Sequence, residues 1–419
     1  MIRISGADLV LPDRVLTAGT IVLEGDRIAE ILQGNLPQED RSDADLDFTF
    51  PDHYIVPGFI DVHVHGVEGT DALDDGAAVQ SIAERLPRYG VTAFCPTSVA
   101  CDPRTLRMLL NGVRAARTTR PPGGARVLPA HLESNFISVE YKGAQPIECL
   151  RVPPSRAQRG KQETRGTKGE APAAPSQAAW SGDDILAEIA AARPDVGIVT
   201  VAPEIDGAID LIRDLVAQGH HVSLGHSGAT YEEAMQGIHA GARQATHLFN
   251  AMTPIAHRAP GLAGAILESE DVVAELICDG VHVHPAMMRV ALASKRPERI
   301  MAITDGTAGS GLPRGSHARL GGRRITVRDA AFLDDGTFAG SVLTMDRAFA
   351  KLTSEVGLSL SDAATVCATT PARALGLQGF GVISPGAIAD LVVLDRDLRV
   401  VQTWVAGTLA WECSSKRSV

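Results

Sequence analysis

Aromatic side chains are scarce in this sequence, at 4% of residues. That leaves little surface on which bases could stack, and a nucleic-acid partner is not expected. Basic residues are outnumbered, 39 Lys and Arg against 50 Asp and Glu, for a net charge of −11. Such a balance repels polyanions at long range, so an anionic small substrate would need a local cationic or backbone N–H pocket. Nowhere do roughly 18 apolar residues run without charge, so no membrane span is expected. The stretch from Met1 to Leu11 is interrupted by Arg3 and Asp8 and lacks the apolar region of a signal peptide. The six cysteines, Cys95, Cys101, Cys149, Cys278, Cys367 and Cys413, include no C-x-x-C pair. They read as reduced thiols, as in a cytoplasmic protein, and not as a disulfide framework.

What is present is the composition of a globular protein: 45% hydrophobic and 21% charged residues over 419 positions. The first fifty residues alternate short β-like runs with turns, including a hairpin pattern around Glu24-Gly25-Asp26-Arg27. From residue 55 the pattern changes to apolar strand-like segments at 55–64, 93–98, 127–132, 197–202, 221–224, 244–248, 273–277 and 301–304, separated by amphipathic helical stretches. Eight such segments predict a parallel (β/α)8 barrel. After a helix expected near 361–375, short β runs return at 389–394 and 400–405. The expected fold is therefore α/β: a TIM-like (β/α)8 barrel over 55–378, with a small composite β-sandwich domain built from both chain ends, 1–54 and 379–419. One segment, 151–179, breaks the rhythm with Pro, Gly, Gln and Ser, and its first twenty residues hold six Lys or Arg against two Glu. It reads as a mobile, locally basic insertion.

The strongest chemical signal is Pro57-Gly58-Phe59-Ile60-Asp61-Val62-His63-Val64-His65-Gly66. Side chains alternate along a strand, so Asp61, His63 and His65 share one face. Two imidazoles converging at the C-terminal end of a barrel strand can ligate a metal through neutral ring nitrogens. Later strand ends each deliver a further polar residue: Glu133, His226, His247, His282 and Asp305. Singly, each has a plainer reading, His247 as a hydrogen-bonded core histidine, Glu133 as a helix N-terminal charge, Asp305 as a cap. Jointly they follow the distribution of catalytic residues in a barrel, drawn from the ends of several strands.

At these residues the chain resembles the N-acetylglucosamine-6-phosphate deacetylases of the amidohydrolase superfamily. The resemblance spans nearly the whole sequence: PGFIDVHVHG at 57–66, HLE at 131–133, KGAQP at 142–146, APE at 202–204, GHS at 225–227, THLFNAM at 246–252, RAPGLAGAIL at 258–267, DGVHVHP at 279–285, ITDGT at 303–307, GSVLTM at 340–345 and ADLVVLD at 389–395. It implies that Glu133, His226 and His247 bind one divalent metal, and that His63 and His65 can complete a second site with Glu133 and Asp305, for one or two ions per chain. Zinc is the first expectation; iron and manganese suit the same ligands. A bound cation would lower the pKa of water from about 15.7 to about 7 for attack on an amide. Asp305 would take the water proton and return it to the departing amine, and His282 would contact the scissile carbonyl.

Substrate contacts implied by the resemblance are Ala144, Gln145, Asn250, Ala251, Arg258, His282, Leu343, Thr344 and Met345. Arg258 would reach the sugar phosphate in a neighbouring subunit's site, making a homodimer the functional unit. The chain departs from the family at Ser134-Asn135, where Gly-Pro is usual, and at Gln145, where a histidine is usual. Gln145 donates and accepts hydrogen bonds but carries no positive charge. The competing expectation is an amidohydrolase acting on a different N-acyl amino sugar, galactosamine-type or non-phosphorylated, or on another amide. Cyclic-amide members typically bridge their metals with a carboxylated lysine, and here the corresponding strand offers Glu133 instead.

Overall fold

The computed structural model describes residues 1–34, 46–120, 123–154 and 180–413. The basic insertion expected at 151–179 falls, from residue 155 onward, outside the described residues. Eight parallel strands form the barrel: Phe59–Val64, Val91–Ser98, Ala130–Leu132, Val196–Val201, His221–Leu224, Gln244–Ala245, Val273–Ile277 and Ile300–Ile303, each hydrogen-bonded to the next. The first two are buried at every position. Burial on both faces explains why the strands read as unbroken apolar runs and not as alternating ones.

The barrel closes between its first and eighth strands. Val64 bridges Gly306, Asp305 N donates to His63 O at 2.9 Å and His65 N to Gly306 O at 2.7 Å. Asp61, on the same strand face as the two histidines, spends its carboxylate on this seam, accepting from Thr304 Oγ1 at 2.6 Å. Helices cover the outside. In Pro103–Thr118 the Asp102 side chain accepts from the N–H groups of Arg104 and Thr105, and Leu106, Leu109, Leu110, Val113 and Ala116 make the buried face. Each fully buried Leu or Val there contributes about 1.5–3 kcal/mol, whereas Asp102→Ala would cost the cap about 1 kcal/mol.

Two expectations change in detail, and one element is additional. The run 55–64 is two strands, because Tyr54–Pro57 joins the small domain and Phe59–Val64 the barrel. Gly58 lies between them, where an added Cβ would stand 2.3 Å from Thr92 Oγ1. The run 127–132 is interrupted at Leu128-Pro129, leaving Arg126–Val127 and Ala130–Leu132. A small antiparallel sheet, His317–Leu320, Arg323–Val327 and Ala331–Phe332, follows the eighth strand; sequence reading passed over it.

The chain ends do combine. Strands Leu391–Leu394 and Val400–Val405 continue, through Tyr54–Pro57, the sheet begun by Ile2–Val10 and Val15–Glu24. A second core of Ile4, Leu9, Ile21, Ile28, Val393 and Trp404 packs there, separate from the barrel's. Among the described residues no helix is long and apolar enough to cross a membrane.

Candidate metal centre and substrate cavity

The strand ends carry the site. Glu133 directly follows the third strand, and His226, His247 and Asp305 each come two residues after the fifth, sixth and eighth. All three of the latter adopt left-handed backbone, with φ of 48°, 31° and 47°. Non-glycine residues there are uncommon and tend to gather at functional sites.

Hydrogen bonds fix the imidazole tautomers. A carbonyl oxygen can only accept, so His65 Nδ1 donates to Thr97 O at 3.2 Å and His226 Nδ1 to Tyr141 O at 2.8 Å. His63 Nδ1 donates to Glu275 Oε2 at 2.9 Å. In the neutral ring each Nε2 is then a lone pair. Yet His226 Nε2 lies 2.7 Å from Glu133 Oε1 and 3.0 Å from His247 Nε2, and His247 Nε2 lies 2.9 Å from the same oxygen. On the other side, His63 Nε2 and His65 Nε2 are 3.2 Å apart and stand 3.4 and 3.3 Å from Asp305 Oδ1. Carboxylate oxygens and imidazole nitrogens crowd together in a buried place, a donor set that shared protons or bound cations can satisfy.

Titration behaviour expresses the same field. Burial opposes charge on His63, but Asp305, Glu275 and Glu133 outweigh it and raise the ring's pKa to about 10. Burial would raise the pKa of Glu133, yet His226, His247 and His63 draw it well below the ordinary carboxylate range. Two residue groups place one ligand atom each within 4.8 Å of one another at this centre: Glu133 with His226 and His247, and His63 with His65 and Glu133. These donors, imidazole nitrogen and carboxylate oxygen, fit a divalent transition metal. A third group, His63, His131 and Glu275, has the same spacing, but His131 is otherwise engaged. Its Nδ1 donates to Val62 O and its Nε2 pairs with Thr200 Oγ1, both at 3.0 Å, and burial lowers its pKa to about 4.

Above the centre opens a cavity of about 460 Å³, lined by His65, Glu133, His226, His247 and Asp305 at its floor and by Ala144, Gln145, Asn250, Ala251 and His282 at its sides. His282 is oriented by Asp279, whose Oδ2 accepts from Nδ1 at 2.6 Å. Gln145 uses both ends of its amide: Oε1 accepts from Ala100 N at 2.7 Å, and Nε2 donates to Glu133 Oε2. Arg258 is exposed and does not line the cavity of its own chain. Leu343, Thr344 and Met345 are buried beside a small separate recess with Asp61 and Val64, outside the substrate cavity.

Two contributors went unread in the sequence. Glu275, fully buried, holds His63 and also accepts from Gln244 Nε2 at 2.7 Å. Its signal was a lone acid inside the apolar strand Val273–Ile277. Phe338, on the loop closing the small three-stranded sheet, lines the cavity with its ring centroid 5.1 Å from that of His282.

The amidohydrolase family model matches residues 54–410. The mouse N-acetylglucosamine-6-phosphate deacetylase is 35% identical over 416 residues, covering 95% of this chain and 94% of its own length. An N-acetylgalactosamine-6-phosphate deacetylase of Escherichia coli O157:H7 is 34% identical over 358 residues, covering 85% and 87%. Among solved structures, a mutant N-acetyl-D-glucosamine-6-phosphate deacetylase from Mycobacterium smegmatis, in complex with N-acetyl-D-glucosamine-6-phosphate, superposes with a TM-score of 0.82 at 32% identity, covering 98% of this chain and 99% of that one.

Proposed function

This chain belongs to the N-acetylglucosamine-6-phosphate deacetylase family of amidohydrolases, and from that premise we propose that it hydrolyses the acetamide of N-acetyl-D-glucosamine 6-phosphate to D-glucosamine 6-phosphate and acetate. The observation that carries this reading is the convergence of four imidazole Nε2 atoms on the carboxylates of Glu133 and Asp305 at the floor of a cavity able to hold a hexose phosphate. One ion held by Glu133, His226 and His247, and a second held by His63, His65, Glu133 and Asp305, would supply Lewis acidity and an acidified water. Zinc is the first choice and iron or manganese the alternatives.

The protein's own groups then divide the work. Asp305 Oδ1, at the cavity floor, accepts the proton of the attacking water and returns it to the amine nitrogen, which leaves poorly unless protonated. His282, its Nδ1 held by Asp279, turns its other nitrogen toward the space for the acetamide carbonyl, where it contacts the reacting group. Asn250 and Ala251 border the space for the sugar, and Phe338 screens it from water. Exposed Arg258 suits the phosphate of a partner subunit's site, its planar fork donating two parallel hydrogen bonds, and a homodimer is then the working unit. Cytoplasmic residence agrees with six cysteines of which none forms a disulfide.

A galactosamine-type substrate is the second reading, favoured by the Escherichia coli relative at nearly the same identity as the mouse enzyme. Acetate release from N-acetylglucosamine, N-acetylgalactosamine and N-acetylmannosamine, each with and without 6-phosphate, separates the two. N-acetylglucosamine 6-phosphate should give the highest kcat/KM. Absence of acetate from all six, with metal supplied, would overturn the deacetylase reading.

A further inference from the structure

At the opposite end of the barrel lies a larger cavity, about 700 Å³, which the proposed reaction does not use. Its wall is formed where strands begin, at Val127, at Val196 to Ile198 and at His220 and His221, and where the helices Pro103–Thr118 and Ala208–Ala217 end. The catalytic residues sit at the other ends of these strands.

This cavity is cationic within an acidic protein. Arg117, Arg120, Arg126 and Arg193 line it, with His220 and His221, whose pKa values burial lowers, and no lining residue is acidic. Only part of the charge is neutralised nearby. Asp195 accepts from Arg117 and, at 2.7 Å, from Arg114. Asp390 meets Arg126 at a long 3.4 Å. Among the described residues no salt bridge reaches Arg120 or Arg193. Burial first, and the guanidinium of Arg126 second, lower the pKa of Arg120, as expected where like charges are crowded.

Two buried polar atoms on the same wall lack partners: Arg126 Nε and His220 Nε2. His220 is 6% exposed, and its Nδ1 is engaged with Val196 O at 3.0 Å, so Nε2 is the free nitrogen. Buried polar atoms are nearly always paired, so these two mark the wall behind the cavity as incompletely satisfied. The remaining lining is mostly aliphatic, with Leu128, Ile198, Leu375 and Leu377 and no Phe, Tyr or Trp.

We propose that this cavity is a second anion site, separate from the metal centre, which takes a small phosphate monoester of sugar-phosphate size. Guanidinium forks suit a phosphate dianion, and the aliphatic wall covers the uncharged part of the ligand. The inference does not depend on which sugar the catalytic centre deacetylates.

The test is titration calorimetry on the full, metal-loaded chain with glucose 6-phosphate, which has no acetamide to hydrolyse, and with inorganic phosphate. Wild type should bind glucose 6-phosphate at one site per chain beyond any at the metal centre, and Arg120→Ala/Arg193→Ala should weaken that site at least tenfold, while kcat/KM for acetate release stays within about twofold. Loss of a charge-assisted hydrogen bond predicts a change of that size. Should the double variant fold poorly, Arg193→Ala alone, at an exposed position, should still weaken the site severalfold. Binding of both anions that is indifferent to these substitutions, or the absence of saturable binding, would overturn the proposal. A tungstate-soaked crystal gives an independent reading: density beside Arg120 and Arg193 supports the site, and density confined to the metal centre refutes it.

Discussion

Replacing Glu275 by glutamine tests the logic of the metal centre without touching a ligand. The side chain is fully buried and accepts from His63 Nδ1 at 2.9 Å, Gln244 Nε2 at 2.7 Å and His247 N at 3.3 Å. Burial alone would raise its pKa, but His131 and His63 hold it below the usual value, so it is ionised and acceptor-only. Glutamine keeps the shape and converts one oxygen into a donor. That donor must then face the His63 Nδ1 proton or turn the Gln244 amide to meet it, and in either case the negative charge beside His63 is lost. Losing one charge-assisted hydrogen bond costs about 1.5–3 kcal/mol, close to the 10–100-fold change in affinity or activity that follows loss of a residue orienting a metal ligand. The damage should be uneven. His63 belongs to the group with His65 and loses a partner of its ring, whereas in the other group Glu275 meets only the backbone N–H of His247, at 3.3 Å, and His226 is held by Tyr141 O. Competition titration with a chelator should show one metal weakened 10–100-fold and the other within a few-fold, with kcat restored in part by excess metal. If both affinities and kcat match wild type, the tautomer argument is wrong; equal weakening of both metals would refute the division into two groups.

Asp305→Asn should fold normally, since Asn tolerates the left-handed backbone at this position (φ 47°), while kcat falls by roughly two to four orders of magnitude; turnover near wild type in a steady-state acetate assay would remove Asp305 from proton transfer. Elemental analysis of purified protein should find one or two transition-metal ions per chain, and their removal by chelator should abolish activity and lower Tm, by about 2.7 kcal/mol of stability for a metal present at roughly 100 times its Kd. Arg258→Ala should reduce kcat/KM at least tenfold for the 6-phosphate substrate and barely at all for the free sugar; an equal loss on both would sever Arg258 from phosphate recognition.

The sequence was most informative where one residue type could do only one thing. Alternation alone put His63 and His65 on one face, and the tally of one polar residue per strand end placed Glu133, His226, His247 and Asp305 before any geometry was known. Asp61 obeyed the same alternation and yet closes the barrel seam through Thr304, because period two reports a face and not what stands opposite it. Gln145 was legible as a polar neighbour of the site, but its bond to Glu133 was not, since it folds the irregular loop after the third strand back on itself. Glu275 and Phe338 were missed for related reasons. A single acid in an apolar strand is outvoted by its neighbours, and the small sheet carrying Phe338 consists of strands of two to five residues with charged outer positions, too short for periodicity to register.

The backbone supports the catalytic reading on grounds independent of kinship. Left-handed conformation costs a non-glycine residue about 1–2 kcal/mol, and His226, His247 and Asp305 all adopt it. A chain shaped for stability alone would place glycine at such turns; here each turn keeps a side chain that can bind a cation. At Asp305 the surrounding structure holds the conformation from both sides, since its N–H donates to His63 O at 2.9 Å and its carbonyl accepts from Ser341 N at 2.7 Å. Gly340 makes the second contact possible. Its φ is 67°, and a Cβ there would come 2.9 Å from Asp305 O and 2.8 Å from Thr307 Cγ2. A glycine is thus kept where the backbone must approach, and an aspartate where glycine would be easier. The proposed proton carrier is therefore fixed in position before any substrate enters, so little reorganisation is left for the moment of reaction.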